Sequence, residues 1–237
     1  MIDDTRSAAA FFARMSRELM NEPEEVASLQ RMADRAVEAV PACDFCGISL
    51  RRRRGKVETV ASTSELAAAC DLLQYELGEG PCLEAVWHDE AYLAEDLRSD
   101  TRWPRWGPRV AEGGVGSVLS LRLCTEDETL GALNLYAVEP HAFSSDDVDV
   151  AMVFACHAAT ALSSARTVAG LQTALQSRHL IGVAQGVLMS RYELSMSQAF
   201  EVLRRYSSHA NMKLRDVAQF VVDHNALPEA PGSPRLE

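Results

Sequence analysis

The stretch VGSVLSLRLCTEDETLGALNLYAVE, residues 115–139, reads as two strands joined by the acidic turn Glu126-Asp127-Glu128. The second strand is apolar at both alternating sets of positions. A strand covered on both faces in the middle of a sheet needs that pattern. A sheet with a buried hairpin near its centre follows, and the flanking sequence supplies its other parts.

Upstream, DFCGISLRRRRGKVETVAS (44–62) reads as a second hairpin turning at Arg54-Gly55. Residues 6–20 and 23–40 are predicted helices. The second has Pro23, Glu24 and Glu25 in its first turn and Val26, Leu29, Ala33, Ala36, Val37 and Val40 on one face. STSELAAACDLLQYEL (62–77) is a third helix, with Ser62 or Thr63 as its cap. GEGPC (78–82) is a loop, LEAVW (83–87) opens a short helix, and RSDTRWPRWGP (98–108) is a Trp/Pro-rich loop. Downstream, the chain from Ser145 to about Arg191 has few breakers, which predicts one long helix running out of the sheet domain.

Two further helices follow. Ser195 and Gln198 match a capping box, with Met196, Ala199, Phe200, Leu203 and Tyr206 as the inner face. The last helix opens after Asn211 with Leu214, Val217, Ala218 and Val221 inside, and the preceding long helix contributes Leu171, Leu175, Ile181, Val187 and Leu188. The fold class is therefore α+β: an antiparallel sheet flanked by helices, a long connecting helix and a three-helix module. The expected organisation is an N-terminal helical segment over 1–22, a sheet domain over 23–165, a helical domain over 166–227 and a disordered tail over 228–237.

Charge divides along the same line. The 237-residue chain has a formal charge of −11. Residues 1–165 hold 15 basic and 28 acidic side chains, whereas residues 166–227 hold seven and four. A small cationic part on an acidic protein points to a polyanion. In RRYSSHANMKLRDVA (204–218), Arg204, Arg205 and Ser208 fall at the end of one helix, and Lys213, Arg215 and Gln219 at the start of the next. This makes either an anion patch beside free helix N–H groups or a solvated helix face carrying routine charges.

Residues 171–218 resemble the ANTAR domain, the RNA-binding output module of bacterial antitermination regulators. The resemblance rests on Ser177-Arg178 with Ile181, on AQGVLM (184–189), on Ser195 with QAF (198–200) and Leu203-Arg204, and on Ser207, Asn211 and KLRDVA (213–218). It implies binding to paired hairpin loops in nascent mRNA, which keeps a terminator stem from forming. The RNA-binding candidates are Gln185, Arg191, Tyr192, Arg204, Arg205, Ser208, Lys213 and Arg215; Tyr206 could stack on a base or pack in the core. The chain departs from the family at Glu193, where Gly is usual. A DNA-binding reading, with KLRDVA opening a helix-turn-helix-like recognition helix, is the alternative.

Residues 23–165 resemble a GAF domain of the kind joined to ANTAR modules in actinobacteria. This rests on QYELGEGPCLEA (74–85), DLRSDTRWPRW (96–106), VGSVLSLRL (115–123), TLGALNLYA (129–137) and the helix FSSDDVDVAMVFACHAATAL (143–162). It implies a sheet of about six strands and a sensing role with an unknown small-molecule input. Lys56 is the single Lys of residues 1–165 and sits at a turn, which disfavours cyclic nucleotides. Tyr75, Cys82, Trp87, Trp103 and Trp106 are the pocket candidates; the alternative is that these aromatics fill the domain's own core.

The remaining chemistry is sparse. Cys43 and Cys46, if both lie in a strand, face opposite sides and lack further ligands, so no metal site is expected. Cys82 is the better placed of the thiols for reactivity. No phosphate-binding Gly loop, nucleophile elbow or H-E-x-x-H segment occurs, so no enzyme is expected. The first twenty residues make a poor secretory signal and no stretch approaches eighteen uninterrupted apolar residues. The expectation is a cytoplasmic protein without a membrane span. Val168, Leu171 and Leu175 stand at coiled-coil-like spacing, which predicts a homodimer.

Overall fold

The structure, a computed structural model, describes residues 25–227. The expected helix over 6–20 and the tail over 228–237 lie outside the described residues. The chain divides into two compact units between Arg166 and Thr167.

The first unit opens with α1 (Glu25–Ala39), then β1 (Phe45–Arg51), β2 (Val57–Ser62), α2 (Glu65–Leu77), α3 (Pro81–Trp87), β3 (Ala91–Ala94), α4 (Gly107–Glu112), β4 (Ser117–Cys124) and β5 (Thr129–Ala137). The strands form one antiparallel sheet in the order β2-β1-β5-β4-β3. It has five strands among the described residues, where the resemblance implied about six. The strand with two apolar faces, β5, occupies the centre, and everything from Leu130 to Ala137 is buried. Its alternation separates two layers. Leu133 and Leu135, with Ile48, Leu50, Leu119, Leu121 and Leu123, pack under Leu29, Met32, Ala33 and Ala36 of α1. The opposite face carries Val118 and Tyr136, packed with Trp103, Trp106 and Val110.

Several local expectations shift. The cap of α2 is Ser64, not Ser62 or Thr63: its Oγ accepts from Ala67 N at 3.1 Å, the reach a cap needs from the residue just before the helix. Thr63 Oγ1 instead accepts from Cys46 N at 2.9 Å, beside the β1–β2 pair. Cys43 precedes β1, so strand alternation does not govern it, and both Cys43 and Cys46 enter the same apolar core. Burial pushes the Cys43 thiol up to about 12 and raises Cys46 well above its ordinary value.

The long helix is continuous: α5 runs 48 residues, Ser145–Tyr192. Ala151, Phe154, Ala155, Ala158, Ala159 and Leu162 close the core of the first unit. Although it holds no uninterrupted apolar run of that length, α5 contains an 18-residue window of mean hydropathy 1.4, long and apolar enough to cross a bilayer by length and composition only. One third of that window is buried inside the protein.

The second unit comprises the end of α5, α6 (Met196–Ala210) and α7 (Leu214–His224). Ala184, Leu188, Ala199, Leu203, Val217, Ala218 and Val221 form its buried centre. Ser195 caps α6 with a complete capping box. Met196 and Phe200, expected inside, are exposed, as are Leu171 and Leu175 at 61% and 66%. The buried stripe of α6 is centred on Ala199 and Leu203 and rotated toward Val202 and Tyr206, which leaves Met196 and Phe200 at its margin.

Candidate functional site

In the second unit, every cationic side chain has to be weighed against its neighbours. The turn Asn211–Met212 is held by Ser207, whose Oγ donates to Met212 O at 2.6 Å while Met212 N donates to Ser207 O. Asn211 sits in the left-handed region, at φ 50°, where Asn is among the residues that tolerate it best. This turn brings the end of α6, with Arg204, Arg205 and Ser208, next to the start of α7, with Lys213 and Arg215.

Arg204 is already committed. Its guanidinium pairs with Glu201 at 2.7 Å and holds that carboxyl below its usual range. Arg215 stands 3.7 Å from Asp216. Arg205, Ser208 and Lys213 are exposed, and among the described residues their side chains make no ion pair or hydrogen bond. Lys213 is also the N-cap of α7 and supplies no side-chain acceptor there, while Asp216 N donates to Lys213 O at 2.9 Å.

Gln185, Arg191 and Tyr192 lie at the other end of α6. Gln185 Nε2 donates to Met196 O at 3.1 Å. Arg191 donates to Asn225 O at 2.7 Å, beyond the end of α7, and its guanidinium stands 5.8 Å over the ring of the exposed Tyr192. Arg204 lies eight residues along α6 from Met196, about 12 Å at 1.5 Å per residue, so the eight candidates fall into two groups toward opposite ends of that helix. Tyr206 packs against the module's core. Glu193 has φ 52°, a left-handed position just after α5. That conformation is the physical reason Gly suits the site.

In the first unit, the sheet face beneath α2 carries polar side chains that sequence reading missed. Asp71 is fully buried and its carboxylate collects donors: Tyr136 OH at 2.5 Å, Asn134 Nδ2 at 2.8 Å and Thr59 Oγ1 at 3.0 Å. Asn134 Nδ2 also donates to Ser49 Oγ at 3.1 Å, and its Oδ1 accepts from Ser120 Oγ at 2.9 Å. Tyr75 OH lies 2.6 Å from Ser49 Oγ and 2.8 Å from Thr59 Oγ1. Gly47 makes room for the carboxylate, since a Cβ there would stand 2.3 Å from Asp71 Oδ2. Desolvation raises Asp71 to about 6 despite these donors. The available signal was a polar residue, Asn134, inside an otherwise apolar central strand.

Beside this network, a cavity of about 630 Å³ opens between β2, α2 and α3, lined by Gly55, Lys56, Val57, Glu58, Thr59, Ala68, Leu72, Tyr75, Leu83 and Trp87. Tyr75 and Trp87 of the five pocket candidates are on its wall. The other three are interior. Trp103 and Trp106 stack edge to face at 5.9 Å and donate to Glu84 Oε1 and Cys70 O. Cys82 is fully buried against Ser49, Asn134 and Tyr75, and burial pushes its thiol up to about 12, far from a reactive thiolate.

Comparison with known proteins agrees with the two-part architecture. Residues 24–163 match the family model of the GAF domain, and residues 169–222 that of the ANTAR domain. The GAF domain of a phosphoenolpyruvate-protein phosphotransferase from Coxiella burnetii is 19% identical and superposes with a TM-score of 0.55, covering 69% of this chain and 96% of that one. The corresponding domain from Acinetobacter is 17% identical, with a TM-score of 0.54 over 68% of this chain and 95% of the other. Free methionine-R-sulfoxide reductase from Neisseria meningitidis, in complex with its substrate, is 14% identical with a TM-score of 0.53, over 68% and 93%. At these identities the likeness is one of fold. No curated protein sequence matches the chain.

Proposed function

The chain belongs to the GAF domain family, with an ANTAR domain joined behind it, and from this pairing we propose that it is a cytoplasmic, signal-responsive RNA-binding regulator. Both are regulatory rather than catalytic domains. The output half binds paired hairpin loops in nascent mRNA and so prevents transcription termination. The observation that carries this reading is the α6–α7 turn, where Arg205 and Lys213 stand exposed and, among the described residues, outside any ion pair, in the cationic part of an acidic protein. Cations outside any ion pair or hydrogen bond among the described residues are available to phosphate, and Ser208 between them adds a hydrogen-bonding hydroxyl.

The exposed face of α7 supports RNA over DNA. Gln219 Nε2 is bonded to Asp223 Oδ1 at 2.7 Å, and a recognition helix reading base edges would need such side chains free. The input half receives a small molecule in the cavity walled by Tyr75 and Trp87. Exposed Val168, Leu171 and Leu175 on α5 support a homodimer, which would offer two modules to two hairpins and gain avidity.

Gel shifts with a two-hairpin RNA and with duplex DNA, run in parallel across a salt titration, test the reading. Preferential retardation of the RNA, with a steep salt dependence, is expected. Equal retardation of both, or of neither, overturns it.

A further inference from the structure

The chemistry of the cavity ligand can be read from the direction of the hydrogen bonds behind its wall. Thr59 and Tyr75 line the cavity and also belong to the network on Asp71. A hydroxyl has one hydrogen. That of Thr59 goes to Asp71 Oδ2, so in the Tyr75–Thr59 bond the phenol is the donor. With its hydrogen spent, Tyr75 can only accept from Ser49, and Ser49 is free to donate because Asn134 Nδ2 supplies the bond it accepts. The chain Asn134 to Ser49 to Tyr75 to Thr59 to Asp71 therefore runs one way. It leaves only lone pairs at Thr59 and Tyr75, with a buried negative charge behind them.

The rest of the lining is apolar or neutralised. Val57, Ala68, Leu72 and Leu83 offer no polar side-chain atom. Glu58 accepts from Arg52 at 2.7 Å and faces Lys56 at 3.8 Å, so the cation in the lining already has a carboxylate beside it. Trp87 is 45% exposed, with the Arg51 guanidinium 4.8 Å over its ring and Gly55, at φ 76°, close to its edge. The indole is thus braced while part of it faces the cavity.

The geometry points to an uncharged, planar aromatic ligand of one or two rings that carries an N–H or O–H donor, stacked on Trp87 with that donor directed at Tyr75 and Thr59. Anionic ligands are disfavoured at this part of the wall, because Thr59 and Tyr75 present lone pairs there with the Asp71 charge behind them. This rests on the sheet domain being the sensing half. Displacement of indole by benzoate would overturn the ligand class alone and leave that reading standing.

Indole is the probe, with 1-methylindole as its donorless counterpart and benzoate as an anion, each titrated against the full chain by ligand-observed NMR. Saturable indole binding is expected, with 1-methylindole about fivefold weaker, as one neutral hydrogen bond predicts, and benzoate unable to displace indole. Leu72→Trp, at an exposed lining position, should fill the cavity and remove binding while the circular dichroism spectrum is kept. Trp87→Ala should weaken indole several-fold. Equal binding of indole and 1-methylindole, displacement by benzoate, no saturable binding, or full affinity in Leu72→Trp would each overturn the inference.

Discussion

Tyr136 donates its phenolic hydrogen to Asp71 Oδ1 at 2.5 Å, joining the central strand β5 to helix α2 through a fully buried carboxylate. Gln74 Nε2 donates to the same phenol oxygen at 3.3 Å, so its hydrogen is left for Asp71. Removing the hydroxyl with Tyr136→Phe takes one donor from a buried charge. A loss of about 1–3 kcal/mol is expected in denaturant unfolding, since the remaining groups cannot replace it.

The raised value of Asp71 makes stability depend on pH in a particular direction. The folded chain protonates this carboxyl near pH 6, whereas the unfolded chain does so only near 3.8. Between those values the folded state binds more protons, so this contribution rises as pH falls through 6 and is smallest above it. Wild type should gain roughly 1 kcal/mol over Asp71→Asn between pH 7 and pH 5. Urea unfolding of both proteins at the two pH values measures it, and a constant difference would refute the burial effect.

Glu193 occupies a left-handed position at φ 52° where a side chain costs energy. Glu193→Gly should stabilise the helical unit by about 1 kcal/mol. Thermal unfolding followed at helix wavelengths checks this.

At the α6–α7 turn, pairing separates the arginines. Arg205→Ala with Lys213→Ala should weaken hairpin RNA binding at least tenfold at low salt and lower the salt slope by between about 1 and 2. Glu201→Gln releases Arg204 from its 2.7 Å partner and should tighten binding by about two- to fivefold. Filter binding across a salt series reads both.

Leu171 and Leu175 are 61% and 66% exposed on α5. Glu at both positions should shift the chain from dimer to monomer in light scattering, because a seam that carries like charges opposes pairing. A wild-type monomer at all concentrations would contradict the proposed dimer.

Much of the architecture follows from periodicity in the chain itself. The double-sided apolar pattern of 129–139 puts β5 at the sheet centre, the breaker-free run from Ser145 gives α5, and Ser195 with Gln198 fixes the start of α6. These are local signals, since hydrogen-bond geometry and a period of 2 or 3.6 act within a few residues. The charge split between the two units is likewise written in composition. What the tertiary structure alone decided are matters of who faces whom. Asp71, in a helix, meets Asn134 and Tyr136 more than sixty residues away. Trp103 and Trp106 turn inward while Trp87 meets the cavity, and Arg204 is claimed by Glu201 while Arg205 is left exposed. No local pattern encodes those choices: a side chain's availability depends on the groups packed beside it, and packing brings together residues that sequence spacing keeps apart.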